Sequence, residues 1–170
     1  MALTLVDLLG VEPSRTGFSE DCDRWLMCHI PGKPVAKGRP RARNMGGKVR
    51  LYTPETTLKG EAWVRQCWMS QVGQVLLTGP LEVRLLIQNP IPKSFRASML
   101  PHLHGMRPLT KPDLDNVGKL ALDALNGIAW FDDAQVVRMA IDKAYAPLGT
   151  GTALWIAVRE WVPSAQNWLA

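Results

Sequence analysis

The chain has 170 residues, 46% hydrophobic and 21% charged, the proportions of an ordinary globular protein with enough chain for one adequate core. No apolar run approaches the ~20 residues a membrane-spanning helix needs, and the N-terminus lacks the basic start of a signal peptide, so a membrane or exported protein is not expected. Three cysteines, Cys22, Cys28 and Cys67, form no CxxC pair and are odd in number, which suits a reducing cytoplasm rather than a disulfide framework. The net charge of +5 is concentrated in one place. Seven of the 20 basic residues lie between Lys33 and Arg50, where no acidic residue occurs, leaving 13 basic against 15 acidic elsewhere.

Residues 1–22 read as a weakly patterned leader, with Leu3 to Leu9 suited to a short helix and no function assigned. The remainder, residues 23–165, reads as one domain. Trp25 to Ile30 (WLMCHI) is a short apolar run, best read as a first core strand, with His29 a satisfied strand residue rather than a metal ligand. Pro31-Gly32-Lys33-Pro34 opens the basic segment, whose prolines and glycines deny it a long helix. Arg39, Arg41 and Arg43 alternate, and Asn44 to Gly47 looks like a turn returning into Lys48 to Thr53, so a basic hairpin is expected. Lys33, Lys37, Arg39, Arg41, Arg43, Lys48 and Arg50 are the candidate nucleic-acid contacts, because a concentrated basic block is the footprint of a phosphate-backbone binder. The competing reading is a solvated charged loop.

Thr53-Pro54 supplies an N-cap and a first-turn proline, and the pattern from Leu58 to Leu76 predicts one long helix ending near Leu77, before Gly79-Pro80. Leu81 to Gln88 is a strand. A long loop follows to Thr110, with Lys93, Arg96, Arg107 and a His102-x-His104 pair. No CxxC or HExxH accompanies that pair, so surface histidines are expected rather than a zinc site.

The stretch TKPDLDNVGKLALDALNGIAWFDDAQV, from Thr110, organises the rest. Val117, Leu120, Ala121, Ala124, Leu125 and Ile128 form one helical stripe, and Asn126-Gly127 is its stop. Pro112 biases Lys111 to extended backbone, so Asp113 and Asp115 sit at the helix entry. If Asp113-Leu114-Asp115 is still extended, both carboxylates point to one side and Leu114 turns to the core. Lys119 lies one turn beyond Asp115. After the helix, Ile128 to Phe131 delivers Asp132-Asp133 to another edge of the fold.

Massed carboxylates repel unless a cation neutralises them, and hard divalent cations take oxygen ligands. The plainer uses are a helix N-cap at Asp115, a solvated turn at Asp132-Asp133, and a helix salt bridge from Lys119 to Asp115 or Asp123. A calcium loop matches at Asp113, Asp115 and Gly118 but fails at Val117 and Ala124.

The run KPDLDNVGKLALDALNG, followed closely by WFDDAQVV, resembles the signature of RusA-type Holliday junction resolvases. The resemblance is strong from Lys111 to Val137, moderate from Pro31 to Tyr52 and weak elsewhere. It implies a small, phage-associated, magnesium-dependent endonuclease acting as a homodimer on branched DNA, in the cytoplasm of a bacterium or encoded by a phage. Residue by residue it implies Asp113, Asp115 and Asp133 as essential carboxylates and metal ligands, Lys119 as catalytic lysine, and phosphate contact by the basic segment. Asp132 is an auxiliary ligand, Asn116 a residue that orients a carboxylate or the entry turn, and manganese a substitute for magnesium.

The expected order is β-β-β-α-β-loop-α-β-β, an α+β single domain with two main helices on one mixed sheet. The expected activity is resolution of four-way junctions by paired nicks. The alternatives are a magnesium nuclease for another branched or flap substrate, and a junction-binding protein without catalysis.

Overall fold

Strand composition and helix stripe combine in a two-layer α+β arrangement. In chain order the elements are β1 (Leu26–Pro31), β2 (Arg41–Met45), β3 (Lys48–Tyr52), α1 (Glu55–Gln71), β4 (Leu81–Asn89), α2 (Leu114–Leu125), a 3-10 turn (Asp133–Gln135), β5 (Val136–Tyr145) and β6 (Ala153–Glu160). The computed structural model describes residues 25–96, 98–100, 102 and 106–161, and only the backbone of Met45. The leader with its Leu3–Leu9 run, Cys22, His104 and the stretch from Val162 onward lie outside the described residues.

The mixed sheet has the order β1-β6-β4-β5, with β4–β5 parallel and the other pairs antiparallel. Parallel neighbours need a crossover, and the chain supplies it through the long loop and α2 between β4 and β5. β4 is central and carries the core: Leu81, Val83, Leu85 and Ile87 face the helices, packed with Val64, Trp68, Leu120, Leu125 and Trp130. Helix α2 lies close along β5. A Cβ added at Gly118 would stand 2.6 Å from Ile141 Cδ1, so at this approach any larger residue would have to displace the end of the Ile141 side chain.

On the opposite face, Glu82 is 1% exposed. Its carboxylate takes Arg84 at 3.0 Å and Arg159 at 2.7 Å, with Arg138 of β5 at 3.7 Å. Burial alone would raise its pKa, but hydrogen bonds from Arg159 and Arg84, together with their charges, hold it below the usual carboxylate range. Both arginines also lie over the Trp25 ring. This cluster ties three strands together.

The two outer strands of the sheet are treated differently. At β1, Gln71 of α1 accepts from the His29 amide at 2.9 Å and donates to its carbonyl at 2.7 Å, while Trp63 Nε1 donates to the Pro31 carbonyl at 3.0 Å. Along β5, nothing among the described residues pairs with the outer edge, and Val137 and Met139 are 56% and 42% exposed.

His29 stacks on Trp155 with ring centroids 4.2 Å apart, and burial lowers its pKa, in keeping with a satisfied strand histidine. Burial, with Cys67 nearby, pushes the Cys28 thiol up to about 12, and burial also raises that of Cys67. Both are free and inert at neutral pH.

Several local expectations need correction. Helix α1 stops at Gln71 rather than near Leu77, because Gly73 takes φ +89 and its amide bonds back to the Trp68 carbonyl, ending the helix. Its N-cap is Pro54, with no side-chain cap from Thr53. The basic hairpin stands apart as its own two-stranded sheet rather than joining the main one. Helix α2 already begins at Leu114, so Asp115 is helical, and Leu114 is 37% exposed instead of turned to the core.

Candidate active site and nucleic-acid interface

Asp113 occupies the N-cap position of α2 in extended conformation (φ −75, ψ 141), yet its side chain makes no cap hydrogen bond. Asp115 lies in the first helical turn, and both carboxylates are exposed. The N-cap reading of Asp115 therefore fails. The turn that presents them is held from the sheet. Asn89 Nδ2 donates to the Lys111 carbonyl at 3.3 Å, and Lys143 Nζ donates to the carbonyls of Thr110 at 2.9 Å and Pro112 at 3.3 Å. The Lys111–Pro112 bond is cis. Sequence reasoning missed both anchors; the one available signal was Lys143, a charge between the helix-facing positions of Ile141 and Tyr145.

The basic segment is stitched to the same turn. The Lys37 amide donates to the Asn116 carbonyl at 2.9 Å, the Gly38 amide to Thr57 Oγ1 at 2.9 Å, and Val35 packs where Gly60 leaves room. Asn116 thus serves through its backbone, and no bond from its side chain to a carboxylate occurs among the described residues. The Lys37 ammonium pairs with Asp123 and, at 3.6 Å, with Glu61. This lysine, expected on DNA, instead joins α1 to α2. Lys119 is exposed one turn beyond Asp115 and, among the described residues, has no ion pair with Asp115 or Asp123.

Beyond Lys37 and the exposed Arg39, the chain forms the hairpin. Gly46 and Gly47 have φ of +62 and +80, the double left-handed turn that glycine permits, and Met45 pairs with Lys48. Arg41 pairs with Tyr52 and Arg43 with Arg50, so Arg41, Arg43, Lys48 and Arg50 share one face of the ribbon.

The second acidic pair is divided in its duties. Asp132 Oδ1 accepts from the Ala134 amide at 2.8 Å, and Gln135 Oε1 accepts from the Asp132 amide at 3.1 Å, a complete capping box on the 3-10 turn. Asp133 is exposed.

Asp113 and Asp115 do not meet Asp133 within one chain. Helix α2 runs antiparallel to β5: the Pro112 carbonyl accepts from Lys143, Gly118 abuts Ile141, and the 3-10 turn that Asp133 opens immediately precedes β5. With ~3.3 Å of rise per strand residue, the two acidic groups stand on the order of 20 Å apart. Among the described residues no three His, Cys, Asp or Glu side chains converge as a metal-holding group.

The family profile described as Endodeoxyribonuclease RusA matches residues 31–156, which span the basic segment, both helices and the first half of β6. The chain belongs to the RusA family. It is accordingly an endodeoxyribonuclease, in a family of Holliday junction resolvases. It is also similar to the "Uncharacterized protein YqaN" of Bacillus subtilis (strain 168), with 34% identity over 130 residues, or 74% of this chain and 89% of the relative. As a RusA-family nuclease it has, among the described residues, no helix long and apolar enough to cross a membrane.

Proposed function

We propose that this RusA-family endonuclease resolves four-way DNA junctions with magnesium, as a homodimer that makes paired, symmetric nicks. One observation carries the reading. Two carboxylates without a capping role, Asp113 and Asp115, stand on the turn to which the basic segment is stitched. Massed carboxylates beside a phosphate-binding surface would repel DNA unless a cation lay between them.

The donor set suits that cation: all are carboxylate oxygens, and magnesium commonly takes one or two carboxylates with waters and substrate phosphate oxygens. Asp113, Asp115 and Asp133 would hold it, with manganese as a substitute and Asp132 limited to an auxiliary part by its capping bond. When bound, the ion supplies an activated water and offsets charge on the phosphate. Lys119, exposed and without an ion pair to Asp115 or Asp123, sets a fixed cation beside the scissile phosphate to stabilise the transition state. Lys33, Arg39, Arg41, Arg43, Lys48 and Arg50 grip the backbone, arginine by its planar fork. Lys37 acts at one remove, by fixing the segment to α2.

A homodimer follows from the separation of the acids. Antiparallel pairing of two β5 edges about a two-fold axis would carry the Asp133 end of one copy to the Asp113/Asp115 end of the other. Two such sites, symmetry-related, give two nicks.

The test is cleavage of a labelled mobile four-way junction with magnesium, beside flap and duplex controls and the Asp115→Asn variant. Symmetric nicks in the junction, lost in Asp115→Asn while binding persists, are expected. Equal cutting of flaps would overturn the junction assignment, and cleavage unchanged by the substitution would overturn the site.

A further inference from the structure

The hairpin has a second face. Because Ala42 pairs with Leu51 and Asn44 with Val49, these side chains share the side of the ribbon opposite Arg41, Arg43, Lys48 and Arg50. Val49 is 70% exposed and Leu51 73% exposed. The ribbon forms its own two-stranded sheet, and residues 41–44 and 48–52 are exposed on both of its faces. A two-stranded ribbon that turns cations to one side and bare aliphatic groups to the other is built for a ligand with two unlike surfaces.

Resting on the junction-resolving reading, we propose that the hairpin is a wedge at the branch point, in which Val49 and Leu51 cover unstacked bases while the basic face holds phosphates. Charge complementarity fixes the orientation: four cations with no acid among them face the backbone, so the opposite face looks into the fork. Intact duplex offers the ribbon a groove of about 12 Å, but keeps its base faces stacked away. A branch point does not. There the strands diverge, and apolar wedges of this kind enter where stacking is already interrupted and the cost of opening is lowest. Position supports the same use. The segment that leads into the ribbon is bonded at Lys37, four residues before Arg41, to Asn116, the residue after Asp115, so a wedge at the fork sets which phosphate reaches the carboxylates. Val49 and Leu51 would then be determinants of substrate structure, with no part in the chemical step.

The experiment places 2-aminopurine at the branch point of a four-way junction and, separately, inside one arm. Full-length protein is titrated onto each without magnesium, and magnesium cleavage of junction and duplex is measured in parallel. Wild type is expected to raise the fluorescence at the branch point and leave the arm probe unchanged. The double variant Val49→Thr/Leu51→Thr keeps strand-forming side chains; it should lose most of that rise, and its preference for junction over duplex should fall by about tenfold per side chain removed from the bases. Leu51→Met should retain both. Arg43→Ala/Arg50→Ala should weaken binding to junction and duplex alike and flatten its salt dependence. A fluorescence rise and junction preference unchanged in the threonine variant would overturn the wedge, as would a shift in sedimentation showing that the face holds a second copy. If wild type cuts no junction at all, the junction reading itself falls, and that outcome is separate from a wild type that cuts junctions while the threonine variant matches it.

Discussion

The two edges of the main sheet are opposites. At β1 the outward backbone groups of His29 and Pro31 are taken up by Gln71 and Trp63 of α1, side chains reaching from a packed helix. At β5 ten residues run to the margin with no such cover among the described residues, and with Val137 and Met139 in view. Exposed edges invite another strand, and proteins commonly blunt them with charge, proline or a covering element. Here one edge is sealed and the other left open. The open one also has the acidic groups at its two ends, which is what a chain needs if it is to complete its sites with a copy of itself.

The largest expected effect tests that pairing directly. Asp115→Asn and Asp133→Asn, each alone, should reduce junction cleavage by about a hundredfold or more. Mixed and allowed to exchange, the two variants should recover cleavage, because one site of each mixed dimer then has both wild-type contributions. Absence of recovery would place each site within one chain. Glu82→Gln comes next. It leaves Arg84, Arg138 and Arg159 facing a neutral amide in a buried position, at a cost of about 3 kcal/mol or more, readable by chemical denaturation.

The pH dependence of that loss has a definite sign. Glu82 is held below the ordinary value of 4.5, so its contribution is complete above that value and disappears as pH falls through the folded-state pKa. Wild type and Glu82→Gln should therefore converge in stability under acid. The last pair sharpens the contrast between edges. Val137→Lys, a charge on the open margin, should weaken self-association and cleavage together while leaving the melting temperature nearly unchanged. Gln71→Ala should do the reverse, costing about 1 kcal/mol of stability with no change in assembly.

Much of this fold was legible in the sequence because its signals were local. The stripe from Val117 to Leu125 and the alternation in LEVRLLIQ marked α2 and β4, and Gly46-Gly47 marked the hairpin. Where the reading slipped, a short-range feature overrode the pattern. Val75 and Leu76 continue the apolar spacing of α1, but Val72 already caps the helix and Gly73 turns the chain ahead of them. At the site, residue types were visible and their commitments were not. Lys37 and Lys119 look equally available in the sequence, yet tertiary neighbours, Asp123 and Glu61, occupy only the first. Asp132 and Asp133 are adjacent and identical, and the capping box, read through Gln135, distinguishes them. The distance from Asp113 to Asp133 could not be had from spacing, since it depends on α2 running back along β5.

That close run of helix along strand rests on Gly118, where a single methyl group would meet Ile141. The position lies three residues after Asp115 and one before Lys119, so a push at this point moves the acid and the cation as one rigid unit. Gly118 is thus a set-screw for the nuclease. On the proposed site, small changes there, or in the Ile141 and Met139 side chains beneath it, would shift Asp115 and Lys119 without touching either of them, a graded way to slow cleavage.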